Sequence, residues 1–298
     1  MTLHWLAHEI VERLVAEETT AYRMAWGDAG LAVDRFGAAA LISSPVALDA
    51  KTGDFFIEAV RRHEPRITTI YFRRLIHAPK ASDVPKKILS TPETTHRFEI
   101  MESGLRYEVD FSAGYSCGFF PDQRNNRIYL RDLKPGRLLN TYAFTCAFSV
   151  AAASVGAATL SVDLARQILE RGKHNFALNS LSSTEHRFYA DDTFAVLARL
   201  ARRGETFDAI ILDPPTFSRN RQGEVFRAER DMGRLLAASL PCLEKGGSIL
   251  LSTNCSSHDT RTLTSIAHSA CSPRKVKITP PQEDFTPATA PATIWMTI

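Results

Sequence analysis

From residue 137 onward, short apolar runs alternate with helix-like stretches, and each of the first five runs stops at or just before a carboxylate or amide. No other feature constrains the fold as strongly. The runs are Arg137-Leu138-Leu139-Asn140, Thr159-Leu160-Ser161-Val162-Asp163, residues 186–189 ahead of Asp191-Asp192, residues 207–212 ahead of Asp213-Pro214-Pro215, and residues 248–251 ahead of Asn254-Cys255. Helices are predicted over 147–155 and 165–178. Strands that are apolar throughout, rather than every second residue, are buried on both faces, which is the situation of a parallel sheet covered by crossover helices. Gly246-Gly247 predicts a turn before the fifth strand, and the Pro-, Thr- and Ala-rich stretch 279–293 predicts a loop before a last strand over 294–298.

Residues 1–110 read differently. Apolar runs such as Gly30-Leu-Ala-Val-Asp-Arg-Phe-Gly37 are short and broken by charge, as in a small α+β domain of short strands and a helix. The expected division is therefore 1–110 and 111–298. Leu3, Leu6, Ile10 and Leu14 recur at helical spacing and predict an N-terminal amphipathic helix. Arg61, Arg62, Arg66, Arg73, Arg74, Lys80, Lys86 and Lys87 gather with few acids, and Pro79 and Pro85 mark a loop among them. Such a stretch is either a phosphate-contacting surface or a solvated face.

Composition excludes more than it assigns. With 44% hydrophobic residues in 298, there is material for a full core with a smaller unit attached. His4, His8, Glu9 and Glu12 interrupt any N-terminal apolar stretch, and no run reaches membrane-spanning length, so the cytoplasm is the expected location. Cys117, Cys146, Cys242, Cys255 and Cys271 form no CxxC pair and there is no HExxH, so no metal is expected and free thiols are. A net charge of +3 permits a polyanionic partner without demonstrating one.

Ligands of open α/β sheets bind at the carboxyl ends of the strands, near the switch in strand order. The polar residues fall there: Asn140 after the first strand, Asp163 after the second, Asp191 and Asp192 after the third, Asp213 after the fourth. An acid after the second strand is placed for a ribose diol, and one after the third for an adenine amine, so the succession suits an adenosine ligand. A single such Asp would be an ordinary helix cap. Asp213-Pro214-Pro215 adds a turn stiffened by two fixed φ angles, able to present a carboxylate and carbonyls to a flat, amine-bearing base.

These residues carry a resemblance. Gly118-Phe-Phe-Pro-Asp-Gln-Arg-Asn-Asn-Arg127, Leu139-Asn-Thr-Tyr-Ala-Phe-Thr145, Ser161-Val-Asp163, Asp213-Pro-Pro-Thr-Phe-Ser218 and Gly246-Gly247 resemble a family of bacterial class I S-adenosylmethionine-dependent methyltransferases acting on large-subunit ribosomal RNA. The likeness covers residues 20–298. It implies a Rossmann-like methyltransferase sheet with S-adenosylmethionine as cofactor and RNA as partner, a homodimer being left open. By motif it implies Asp122, Gln123 and Arg127 beside the cofactor, Asn140, Tyr142 and Thr145 in the loop around its methionine part, Asp163 on ribose, Asp191 and Asp192 on adenine, and Asp213 bordering the transferred methyl. The chain departs from the family at Cys146-Ala147, where glycine is usual and lets backbone approach a ligand closely. Some members also carry an N-terminal RNA-binding module; without it, RNA affinity is expected from the small domain.

Family members make either 5-methylcytosine or 7-methylguanine. Cytosine C5 is a poor nucleophile, activated when a thiolate adds at C6, and Cys255 in Ser252-Thr-Asn-Cys-Ser256 lies where the resembling cytosine enzymes keep that thiol. Guanine N7 already holds a lone pair and needs only positioning, and the Asp213-Pro-Pro-Thr-Phe-Ser218 run is nearer that branch, so both remain open. Phe119 and Phe217 are candidates to stack on an extruded base. Gly114-Tyr-Ser-Cys-Gly118 matches a hydrolase nucleophile elbow, but Phe119-Phe-Pro121 bars the helix that elbow requires. Two further classes stay in view: a catalytically silent RNA-binding or assembly protein, and a small-molecule methyltransferase.

Overall fold

The computed structural model describes residues 2–76, 83–90, 95–181, 183–287 and 289–298. The chain forms two compact units, Met1–Asp122 with Gln282–Thr289, and Gln123–Pro281 with Ala290–Ile298. Among the described residues no helix is long and apolar enough to cross a membrane.

In the first unit, β1 (His4–Trp5), β2 (Ala21–Trp26), β3 (Ala32–Phe36), β4 (Ala39–Ser44), β5 (Thr69–Arg74) and β6 (Lys86–Leu89) pair in sequence order. All neighbours are antiparallel except β4 and β5, which run parallel and are joined through α2 (Ala50–His63). Helix α2 starts where Asp49 accepts from the Thr52 amide at 2.7 Å, and it buries Gly53, Phe56 and Val60 along one stripe. The N-terminal helix α1 (His8–Ala16) begins later than the leucine spacing predicted, because residues 4 and 5 pair with Trp26 and Ala25 as strand. A hairpin, β7 (Arg97–Glu102) and β8 (Leu105–Asp110), completes the unit.

The boundary lies at Asp122, not at residue 110. Phe111 stacks on Tyr71 at 4.2 Å and meets Phe36 edge-on, while Phe119 packs on Tyr107 at 4.8 Å. These rings commit the chain beyond β8 to the first core.

The second unit opens with α3 (Arg124–Leu133) and continues as β9 (Arg137–Thr141), α4 (Ala147–Ala153), β10 (Ala158–Asp163), α5 (Arg166–Leu178), β11 (Arg187–Ala190), α6 (Thr193–Arg202) and β12 (Phe207–Leu212). A small hairpin follows, β13 (Phe217–Arg219) with β14 (Val225–Arg227), then α7 (Ala228–Ser239), β15 (Leu243–Thr253), α8 (Thr260–Ala270), β16 (Lys275–Ile278) and β17 (Ala292–Thr297). The main sheet has the order β11-β10-β9-β12-β15-β17-β16, parallel except for β17, which runs antiparallel to both β15 and β16. The order reverses between β9 and β12, as in a doubly wound Rossmann-like sheet.

Strand residues alternate between two cores. Leu139, Ile210, Leu212, Ile249 and Leu251 pack with Leu197 of α6, Leu235 of α7 and Leu263 of α8. Their neighbours Leu138, Ala209, Ile211 and Leu250 pack on the other face with Leu130 of α3 and Phe148 of α4. Gly246-Gly247 is not a turn before β15 but lies inside it. The register with β12 shifts between Phe207 and Ala209, Gly246 takes a φ of +81°, and a Cβ at Gly247 would stand 2.9 Å from the Asp208 carbonyl oxygen. The pair is a bulge that only glycine fits.

Candidate functional site

Register decides whether the strand-end residues meet. Thr141 lies opposite both Val162 and Leu212, Leu212 opposite Leu251, and Asp163 opposite Ala190. The carboxyl ends of β11, β10, β9, β12 and β15 are therefore level, and the segments at Asp191, Asp163, Tyr142, Asp213 and Asn254 leave from one sheet edge.

The loop after β9 is the most constrained piece of backbone on that edge. Tyr142, Phe144 and Cys146 all take left-handed φ angles, +52°, +48° and +62°, each disfavoured by roughly 1–2 kcal/mol for a side-chain-bearing residue. Several contacts hold this conformation. One Asp163 carboxylate oxygen accepts from the Phe144 amide at 2.9 Å, and the other accepts from the Ala165 amide. Asn175 of α5 donates to the Thr145 carbonyl at 2.9 Å. One turn earlier on α5, Gly172 leaves room for the Cys146 thiol, which a Cβ there would meet at 2.4 Å. Burial pushes the Cys146 thiol up to about 12, so it is a neutral packing group.

Burial also raises the Asp163 carboxyl above the ordinary carboxylate range, against the three backbone amides that favour its charged form. With about four acceptor sites, the carboxylate keeps capacity for a further donor beyond these amides. The β11 acids are more heavily engaged. Asp191 accepts from the Asp192 amide and pairs with Arg199 at 3.1 Å, while Asp192 caps α6 through the Ala195 amide at 3.0 Å and receives the Asn220 amide at 3.3 Å.

Around Asp213 the second unit builds a buried polar chain. Trp295 of β17 donates to Asn126 at 3.0 Å, Asn126 donates to Gln123 Oε1 at 2.7 Å, and Gln123 Nε2 donates to Ser252 at 2.8 Å and Asp213 at 3.2 Å. Burial raises the Asp213 carboxyl, opposed by Ser252, by the positive charge of Arg127 and by Gln123. Arg127 is itself buried, with its guanidinium over the Phe148 ring. Two helical residues, a strand hydroxyl and an indole thus fix one carboxylate at the end of β12.

The second unit brings together Gln123, Arg127, Tyr142, Thr145, Asp163, Asp191, Asp192 and Asp213. The Asn140 side chain is spent inside the fold: it donates to Ser149 at 2.9 Å, and Ser149 meets Ser161 at 2.8 Å. Asp122 belongs to the first unit, where its charge acts with Asp34 and Asp284 on Arg23. Phe119 is core, whereas Phe217 is 47% exposed. Cys255 is half-buried just past β15, its Sγ 3.1 Å from the Ser257 hydroxyl, which is 3.0 Å from His258 Nδ1. Asn126, Gly172, Asn175 and Ser252 carry no signal of chemistry in the sequence. Only the segments already singled out for Asn126 and Ser252 pointed near them.

Of the basic residues, Arg62 pairs with Glu58, Arg66 with Glu64 at 2.7 Å, and Arg73 reaches Ser43 and the Tyr115 carbonyl. Arg61, Arg74 and Lys86 are exposed. Pro79 and Lys80 lie outside the described residues.

Residues 72–291 match the family described as S-adenosylmethionine-dependent methyltransferase. The chain is 39% identical over 160 residues to the putative ribosomal RNA large subunit methyltransferase YwbD of Bacillus subtilis, covering 53% of this chain and 40% of that one. It is 31% identical over 245 residues to ribosomal RNA large subunit methyltransferase I of Yersinia pseudotuberculosis, covering 79% and 61%. It therefore spans less than two thirds of the length of these relatives. Among solved structures it is similar to SMU.776, a putative methyltransferase complexed with SAH, with a TM-score of 0.84 and 27% identity over 97% of this chain and 79% of that one.

Proposed function

The chain belongs to the S-adenosylmethionine-dependent methyltransferase family, and from that premise we propose that it methylates a base of large-subunit ribosomal RNA. The observation that carries this reading is the level sheet edge, from which the β9 loop and the carboxylates after β10, β11 and β12 all leave. The residues fit an adenosyl cofactor. Asp163, with acceptor capacity beyond its backbone amides, would take the ribose hydroxyls, Asp191 and Asp192 would take the adenine amine, and the Tyr142–Thr145 backbone would border the methionine part. When bound, the cofactor supplies an electrophilic methyl group on a sulfonium sulfur.

Asp213, held by Gln123 and Ser252, would border that methyl and accept from an amine on the target base, with Arg127 offsetting the cost of its charge. Cys146 speaks for an active loop rather than a silent one, because it adopts the left-handed backbone that glycine usually provides at this point. For cytosine, the Cys255 thiolate would add to C6, opening the C5=C6 double bond so that C5 takes the methyl, and loss of the C5 proton to a base would then expel the thiolate and restore the double bond. The thiol proton would pass through the Ser257 hydroxyl to His258 Nδ1. For guanine, N7 supplies its own lone pair and Cys255 stays a bystander.

Nucleoside mass spectrometry of ribosomal RNA from cells with and without the protein tests this. One methylated base should be lost on deletion and restored by the wild-type gene. If it is 5-methylcytosine, Cys255→Ala should fail to restore it; if it is 7-methylguanine, Cys255→Ala should restore it in full. An unchanged modification pattern on deletion sinks the ribosomal assignment.

A further inference from the structure

Immediately after Asp213-Pro214-Pro215, the chain makes an outward-facing hairpin that the catalytic reading leaves unused. Its two three-residue strands pair Phe217 with Arg227, Ser218 with Phe226 and Arg219 with Val225. Alternation divides them. Phe226 is buried against Tyr142 at 5.8 Å and Phe194 at 6.3 Å, anchoring the hairpin to the sheet edge. Phe217, Arg219 and Arg227 share the opposite, exposed face, with the Arg227 guanidinium 5.1 Å from the Phe217 ring centroid.

The tip is rigid. The Asn220 side-chain oxygen accepts from the Gln222 and Glu224 amides, its NH2 reaches Asp192, and Gly223 takes the left-handed turn at +89°. Arg230 and Arg234 are occupied by Asp231, whereas Arg219, Arg221 and Arg227 are exposed and form no ion pair among the described residues. A preformed ring beside three unneutralised guanidinium groups suits a chain of bases and phosphates. It does not suit a protein partner, which would need a contiguous apolar core, whereas this face offers one large apolar side chain among cations.

We infer that the β13–β14 hairpin is a docking surface for single-stranded RNA flanking the target base, with one base stacked on Phe217 and phosphates held by Arg219, Arg221 and Arg227. The inference rests on the RNA reading above and assigns a strand-binding arm to the methyltransferase unit itself. The hairpin follows the Asp213 turn without a gap, so a strand held there is delivered to that carboxylate.

Fluorescence anisotropy with a labelled single-stranded oligoribonucleotide of about a dozen residues, and the same sequence as a duplex, tests it in the full chain. Phe217→Ala should weaken single-strand binding about tenfold with little effect on the duplex, and Phe217→Tyr should keep it. Arg219→Ala and Arg227→Ala should each lower the slope of log affinity against log salt by about 0.7. Calorimetric titration with S-adenosylhomocysteine, unchanged in all four variants, shows that the unit is folded. If Phe217→Ala binds the single strand as wild type does, the hairpin assignment falls and the RNA reading stands. If the wild-type protein binds S-adenosylhomocysteine but neither oligonucleotide, both fall.

Discussion

Cys146 occupies a backbone position that costs a side chain energy, and α5 makes the accommodation. In the middle of a helix, Gly172→Ala would ordinarily gain about 1 kcal/mol from helix propensity. Here the new Cβ would sit 2.4 Å from the Cys146 Sγ and 3.0 Å from its Cβ, and the thiol is buried with nowhere to go. Overpacking at roughly 1–3 kcal/mol exceeds the propensity gain, so Gly172→Ala should lower the urea midpoint, and adding Cys146→Gly should recover most of the loss. Additive effects in that double-mutant cycle would refute the interlock. Asp163 makes a second residue-scale prediction. Its carboxyl titrates above the ordinary range, and hydroxyl donors from a ribose favour the ionised form. S-adenosylhomocysteine affinity should therefore be full at pH well above that raised pKa and fall as pH drops through it. In Asp163→Asn the affinity should be weak and flat across the same window, and a retained acid limb would move the titration elsewhere. Asp163 and Asp213 were legible in the sequence because a carboxylate ending an apolar run is conspicuous. Gly172 and Asn175 were not, since their role is defined by the loop that folds back onto them.

Among the elements, legibility followed burial. The strands of the second unit are apolar on both faces and announce themselves, but β15 extends through Gly246-Gly247 because a bulge and a turn share the same residues. The first unit hides charge inside its sheet: Arg23 pairs with Asp34 at 2.8 Å and Arg35 with Glu64 at 2.9 Å. Partners distant in sequence neutralise these side chains, so a run such as Ala32–Phe36 looks half-exposed when it is buried throughout. The chain from Trp295 through Asn126 and Gln123 to Ser252 likewise joins β17, α3 and β15, and sequence distance conceals it. Asn126→Ala would leave the indole N–H and the Gln123 carbonyl unpaired, each at about 1–3 kcal/mol. A loss of roughly 2–6 kcal/mol by urea unfolding is expected, together with weaker S-adenosylhomocysteine binding once Gln123 is no longer held against Asp213. A stability loss with unaltered cofactor affinity would make this chain of contacts purely structural.

For the whole molecule, a net charge of +3 is too small to bind RNA by bulk attraction, so affinity has to come from where the unpaired cations lie. The basic stretch at 61–87 looks like one patch in sequence, yet Arg62, Arg66 and Arg73 are tied to neighbours within the first unit. Arg61, Arg74 and Lys86 remain exposed, and we propose that these supply the first unit's share of phosphate contact. Counterion release makes that share measurable, since each phosphate neutralised on a single strand adds about 0.7 to the salt slope. Replacing all three by glutamine should flatten the slope by about 2, weaken RNA of any sequence alike, and leave S-adenosylhomocysteine affinity unchanged. Phe217→Ala should instead lower affinity at every salt concentration with the slope preserved, because stacking releases no counterions. An unaltered slope in the triple variant would make the stretch at 61–87 a solvated face and leave phosphate contact to the methyltransferase unit.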